Sequence, residues 1–251
     1  MELAIELRDV HKSFGEYKIH KGINLKVQKN AVTYIIGPSG TGKSVLLKQM
    51  CGLMPPTTGE VLVYGKSILG LKGKELLELR KKFGILFQNA ALFDSMTVFE
   101  NVAFPLKEHT NLSKKEIHDI VIKKLRLVGL VNVENKMPSE LSGGMKKRVG
   151  LARAIALEPE IILYDEPTTG LDPIMCDVVD NLIYDTQKEL GITSIVISHD
   201  IESALKIADN IAMLYDGKVV HFGTPEEFKS TDNPYVRQFL SASREGPIKV
   251  I

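Results

Sequence analysis

The stretch LAIELRDV, from Leu3, alternates apolar and polar residues with the period of a strand that has one face in water. INLKV and VTYIIG follow, so the chain opens in β structure. KSVLLKQM, from Lys43 to Met50, has helical spacing, and GEVLVYG returns to strand. KELLELRKKF reads as a helix and GILFQ as a buried strand. From Asn89 to about Pro159 the character changes to helices and loops, with no convincing strand. SKKEIHDIVIKKLRLVG is the clearest helix: Ser113 and Glu116 make a capping box, Ile117, Val121, Leu125 and Val128 line one face, and Gly129 ends it. A further helix enters through Ser142, Gly143 and Gly144. The βα rhythm then resumes. IILYDEP is a strand, and DPIMCDVVDNLIYDTQKELG is a helix with Asp172 as N-cap, Pro173 at its first position and Gly191 as its stop. TSIVISH is a strand, and IAMLYDGKVVHFG is a hairpin turning at Asp216-Gly217. The pattern predicts an α/β fold: a parallel sheet, an N-terminal antiparallel β subdomain and an inserted α-helical lobe. We place the α/β core at 1–88 and 160–228, the lobe at 89–159 and a tail at 229–251.

Composition narrows the class. The chain has 251 residues, 44% apolar and 25% charged, enough for one large unit with a lobe or two small domains. A net charge of +1 offers no electrostatic footprint for nucleic acid. The two cysteines, Cys51 and Cys176, lack metal-ligand spacing and read as reduced thiols of a cytosolic protein. The start MELAIELRDV interleaves charges with apolar residues and is not a signal peptide. No apolar run approaches the roughly 20 residues that span a bilayer. The chain is expected to be soluble by itself, with docking on a membrane protein open to it.

Chemistry enters with GPSGTGKS, which matches G-x-x-x-x-G-K-[ST] from Gly37 to Ser44 between an apolar strand and a helix, the context that motif requires. Its glycines let backbone amides wrap phosphates, Lys43 puts a cation on the β/γ oxygens, and the Ser44 hydroxyl can ligate Mg²⁺. The expected ATP-binding run is Gly37, Pro38, Ser39, Gly40, Thr41, Gly42, Lys43, Ser44 and Val45. IILYDEP ends in Asp165 and Glu166, at the carboxyl end of a strand where α/β ligands bind. Asp165 is assigned to Mg²⁺, and Glu166 to orienting or deprotonating the attacking water. His199 ends TSIVISH, within expected reach of a γ-phosphate, and Gln88 ends GILFQ, facing the metal or the water. Phe14 offers an aromatic face to the base, with Tyr17 as its competitor. Ser142, Gly143 and Gly144 form a second anion-binding helix start, which one nucleotide in one chain does not need.

Taken together, the phosphate loop, Gln88, LSGGM, LYDEP, TGLD and the Ser-His pair stand in the order and approximate spacing of ABC transporter ATPase subunits. The chain resembles that family over nearly its whole length. The resemblance implies a head-to-tail dimer in which each ATP lies between one copy's phosphate loop and the other's signature. Ser142, Gly143 and Gly144 would then bind the γ-phosphate of the partner copy's ATP, and Asp172 would link the two sites. Met145 stands where the family most often has Gln, which leaves Ser-Gly-Gly intact. Two lobe stretches, ALFDSMTVFENVAFPLKEHT and MPSELSGGMKKRVGLARAIALEP, are more narrowly similar to the ATPase of Mla-type phospholipid transport systems. That resemblance implies an integral membrane permease and an MCE-domain lipid-binding protein as partners, with no nucleic acid. It places the subunit on the inner face of the cell membrane. Leu92, Phe93, Met96 and Phe99 are the residues expected to grip the permease, although a lobe core would use the same residue types. The alternatives are a motor for an amino-acid or organic-solute importer, a soluble ABC protein acting on DNA or ribosomes, and a non-enzymatic ATP switch. A single cassette with almost no net charge speaks against the DNA or ribosome class, and Glu166 with His199 against the switch.

Overall fold

The computed structural model describes residues 2–249, so Met1 and the last two residues of the expected tail, Val250 and Ile251, lie outside it. Elements run β1 (Leu3–Phe14), β2 (Tyr17–Gln28), β3 (Val32–Ile36), α1 (Lys43–Met50), β4 (Thr58–Val63), β5 (Lys66–Ser67), α2 (Gly73–Lys81) and β6 (Phe83–Leu86). Then come α3 (Val98–His109), α4 (Lys114–Leu127), a 3₁₀ turn at Pro138–Glu140, α5 (Gly143–Ala154), β7 (Ile161–Asp165) and α6 (Pro173–Leu190). The chain closes with β8 (Thr193–Ser198), α7 (Ile201–Ile207), β9 (Asn210–Tyr215), β10 (Lys218–Gly223), α8 (Pro225–Ser230) and α9 (Pro234–Leu240). This is the expected α/β class, with parallel strands, an antiparallel β subdomain and helices where a lobe was predicted.

Contacts group the chain into two compact units, one reaching Arg80 and resuming at Thr193, the other Lys81–Ile192. In the first, β2-β1-β4-β5 form an antiparallel sheet, and β10-β9-β3-β8 run side by side in a mixed one. There β3 runs parallel to both β8 and β9, with Tyr34 opposite Val196 and Ile211. Every residue of β3 and β8 is buried, which is why neither shows the apolar–polar alternation of a strand with one face in water. The β9–β10 turn uses left-handed Asp216 (φ 44) and Gly217 (φ 72), the pair a two-residue hairpin needs.

In the second unit β6 and β7 pair in parallel, Gly84 opposite Ile162. The helices here are made locally. Ser113 and Glu116 exchange both bonds of the capping box that opens α4, and Ile117, Val121, Leu125 and Val128 are all buried. α3 is a helix the sequence reading did not isolate. Its own box, Thr97 with Glu100, is fully formed, and Pro105 sits inside it. Each such cap is worth about 1 kcal/mol to a short helix. Asp172 caps α6 by accepting from the Met175 amide at 3.0 Å, and Gly191 ends it at φ 61.

Candidate functional site

The first unit carries the phosphate loop between β3 and α1. Gly37 leaves the strand where an added Cβ would lie 2.1 Å from the Leu214 carbonyl oxygen. Gly42, at φ 94, precedes α1 where a Cβ would meet Ile19 at 2.5 Å and His20 at 2.8 Å. A backbone carbonyl at Gly37 and the Ile19 and His20 side chains at Gly42 therefore leave no room for a side chain at either position. Lys43 is buried, and its ammonium donates to the Gly37 and Pro38 carbonyls at 2.8 and 3.0 Å, folded across the loop it follows. The Thr41 hydroxyl donates to the Pro38 carbonyl at 2.9 Å. α1 begins without a side-chain cap, so its first amides are not claimed by a capping side chain.

His20 is a contributor that sequence reasoning missed. It is buried, with Nδ1 2.8 Å from Gln49 Oε1 and Nε2 3.1 Å from the Gly42 carbonyl oxygen. A carbonyl only accepts, so Nε2 carries hydrogen. Burial pushes the imidazole pKa down and favours the neutral ring. His20 thus fixes the peptide that starts the helix. Its position within a plain alternating strand gave no hint of this.

His199 follows β8 and is exposed. Phe14 ends β1 opposite Tyr17 across a two-residue turn, with Lys12 Nζ 5.1 Å from its ring centroid. Tyr17 is 80% exposed and Phe14 46%, so both rings are reachable from solvent.

The second unit carries the other expected residues. Gln88 does not end a strand, as GILFQ suggested: β6 stops at Leu86, and Phe87 and Gln88 lie exposed beyond it. Asp165 is the last residue of β7. Glu166 follows in the left-handed region at φ 51, unusual for a side chain of its size, and its Oε2 accepts from the Thr169 hydroxyl at 3.0 Å. Such strain clusters where a group must be held at one angle. Lys147, which no motif or spacing singles out, is buried in α5 and donates to the Glu166 and Thr169 carbonyls at 3.2 and 3.3 Å. Burial pushes its pKa down.

Ser142 caps α5 by accepting from the Met145 amide at 3.3 Å, and both it and Gly143 are exposed. A Cβ on Gly144 would come 2.4 Å from Met175 Cε, so α5 lies close against the helix that Asp172 caps. One body thus holds Ser142, Gly143, Gly144, Asp165, Glu166 and Asp172. Of the apolar group expected to grip a partner, Phe93 is exposed, while Leu92, Met96 and Phe99 are half-buried. Phe93 packs on Phe104 with ring centroids 5.0 Å apart, and Phe99 on His118 at 5.8 Å. Cys51 is buried, which raises its thiol pKa to about 11 and makes it inert. Among the described residues no helix is long and apolar enough to cross a membrane.

Chemically, the first unit carries a glycine-rich turn with an ammonium and a hydroxyl at one helix start. The second unit carries, within itself, two carboxylates leaving a strand. A second helix start is open to solvent. Comparison with known proteins agrees. Residues 20–169 match the family model described as ABC transporter. The probable ribonucleotide transport ATP-binding protein Mkl of Mycobacterium leprae is 46% identical over 248 residues, 99% of this chain and 72% of that one. The intermembrane phospholipid transport system ATP-binding protein MlaF of Haemophilus influenzae is 46% identical over 245 residues, covering 98% and 93% of the two chains. Among solved structures, the dimeric post-hydrolysis state of the ATP-binding cassette MJ0796, bound to ADP and Pi, superposes with a TM-score of 0.80 at 34% identity, covering 88% of this chain and 98% of that one. The chain belongs to the ABC transporter family, as one of its ATP-hydrolysing subunits.

Proposed function

We propose that this subunit hydrolyses ATP to drive phospholipid transport through a separate membrane permease, in a complex with an MCE-domain lipid-binding protein. The observation that carries the reading is the match to the phospholipid-transport ATPase of Haemophilus influenzae, which spans nearly all of both chains. The similarity includes the lobe, the part expected to meet the permease. A second reading, a motor for another solute, draws on the equally identical mycobacterial relative described as a probable ribonucleotide transporter.

In this scheme two copies close head to tail. Amides of Gly40, Gly42, Lys43, Ser44 and Val45 wrap the phosphates, and Lys43 leaves its loop carbonyls for the β/γ oxygens. Ser44 and Asp165, with Gln88, supply hard oxygen donors, the set that suits Mg²⁺. Bound there, Mg²⁺ would neutralise charge on the phosphate oxygens. Glu166 orients the attacking water, His199 reaches the γ-phosphate, and the partner copy's Ser-Gly-Gly completes the cradle. ATP joins an interface that neither copy closes alone, so closure is linked to binding and opening to loss of the γ-phosphate. The permease turns that cycle into transport, and the subunit sits peripherally on the inner face of the membrane.

The base platform has its own test. With Phe14 stacked on adenine, Phe14→Ala weakens ATP binding by about 1–3 kcal/mol, the range for base–aromatic stacking, and Tyr17→Ala changes little. A titration that ranks the two the other way assigns the base to Tyr17.

The transport reading is tested by solubilising membranes from cells that make the tagged chain and identifying what stays bound. The expected complex contains a multi-spanning permease, an MCE-domain protein and phospholipid. Phe93→Glu is expected to lose that complex with nucleotide affinity unchanged, because Phe93 is the exposed member of the apolar group. A solute-importer permease, recovered without lipid or a lipid-binding protein, would favour the second reading.

A further inference from the structure

Immediately after Gln88 the backbone takes two consecutive left-handed steps at residues with side chains, Ala90 at φ 57 and Ala91 at φ 47. Each such step is disfavoured by roughly 1–2 kcal/mol for an L-residue. Neighbouring structure must hold them in place, and α5 supplies the hold. Arg153 directs its fork at this step: Nη1 donates to the Ala91 carbonyl at 2.8 Å and Nη2 to the Ala90 carbonyl at 2.7 Å. One turn earlier on α5, Gly150 makes the room, since a Cβ there would stand 2.8 Å from Leu86 Cδ1 and 3.0 Å from Ala90 Cβ. Arg153 is half-buried, and that burial pushes its pKa down. Its partners are carbonyl oxygens, with Asn101 Oδ1 at 3.5 Å and the Phe93 ring 5.8 Å away. Partial burial costs the cation some hydration, which the two carbonyl bonds offset. The flat fork suits two adjacent carbonyls in a way a lysine's single ammonium does not.

We infer that Arg153 is a positioning residue, which holds the Ala90–Ala91 step from the helix begun by Ser142 and so sets where Gln88 is presented. The same contacts reach the partner-facing surface. Asn101 accepts from the Phe93 amide at 2.8 Å and donates to the Phe93 carbonyl at 3.1 Å. Displacing α5 therefore moves Gln88 and Phe93 together. The inference rests on the role proposed above for Gln88 only where it touches hydrolysis.

The experiment has two readouts on the full-length chain. In Arg153→Met, which keeps the apolar stem, amide hydrogen exchange across 88–93 is expected to rise roughly 10-fold, with α4 unchanged. The kcat for ATP is expected to fall roughly 10- to 100-fold, with KM within about twofold. Adding Ala91→Gly, which removes the strain at one step, is expected to recover several-fold of the lost kcat. Arg153→Lys carries the same test if Arg153→Met does not fold. Unchanged exchange across 88–93 overturns the inference, and so does a kcat loss that Ala91→Gly leaves uncorrected. Should Gln88→Ala leave kcat at the parent value, the Gln88 role fails, and the exchange result still decides for or against Arg153.

Discussion

Glu166→Gln lowers the steady-state ATPase rate by roughly 10²–10⁴-fold, the contribution of a positioned general base, while ATP binding persists. The structure explains why the two effects separate. The bond that Glu166 Oε2 accepts from the Thr169 hydroxyl is one that an amide oxygen accepts equally well. The strained φ of 51 is held from outside by Lys147 on the Glu166 carbonyl, which the substitution leaves in place. What changes is basicity and charge at the position assigned to the water. Lys43→Ala is the complementary variant, since it deletes the cation meant for the phosphates and removes both binding and turnover. The check is ATPase rate and nucleotide binding measured separately on each protein. A Glu166→Gln protein that turns over at the parent rate removes Glu166 from the role of base.

The sequence was most legible where one local signal decides the outcome. The phosphate loop needs glycines where no side chain fits, and Gly37, against the Leu214 carbonyl, and Gly42, against the Ile19 and His20 side chains, stand at such points. The caps at Ser113, Ser142 and Asp172 lie where short-range hydrogen bonding puts them. α3 carried the same signal in Thr97 and Glu100, but Pro105 and a dense apolar run obscured it. Gln88 was placed at a strand end because GILFQ is uniformly apolar up to it. The strand stops earlier, where the chain turns toward the left-handed Ala90. β1 outruns the alternating LAIELRDV segment because Asp9, at φ 45, shifts the register and breaks the alternation without ending the pairing. His20, Lys147 and Arg153 share one reason for being missed. Each is a polar residue, buried or half-buried, that bonds carbonyls distant in sequence, and no spacing rule reports such a partner. Leu92, Met96 and Phe99 show the converse: their exposure depends on helices folding over them, which composition alone does not give.

The second large effect is felt between copies. Ser142→Arg is expected to leave nucleotide binding to the single chain intact and to abolish dimer closure and hydrolysis. Ser142 and Gly143 are exposed, so the larger side chain fits the isolated subunit. The local loss is one cap, about 1 kcal/mol on a helix packed elsewhere. In the head-to-tail dimer proposed above, the same guanidinium would stand where a small hydroxyl and two glycine amides approach a phosphate. Steric exclusion, rather than charge, then decides the outcome. Lys43→Ala and Ser142→Arg homodimers each carry two damaged sites and are expected to be inactive.

The direct test of the shared-nucleotide site is to distribute the two lesions deliberately in covalently linked pairs. One pair carries Lys43→Ala on one copy and Ser142→Arg on the other. In a head-to-tail dimer both lesions meet at one nucleotide, the second site keeps its own lysine and serine, and ATPase activity is expected to return in part. The other pair carries both substitutions on one copy and none on its partner, which spreads the lesions over both sites, and its activity is expected to stay at background. If the second pair is the active one and the first is silent, each signature serves its own chain's nucleotide, and the shared site is wrong.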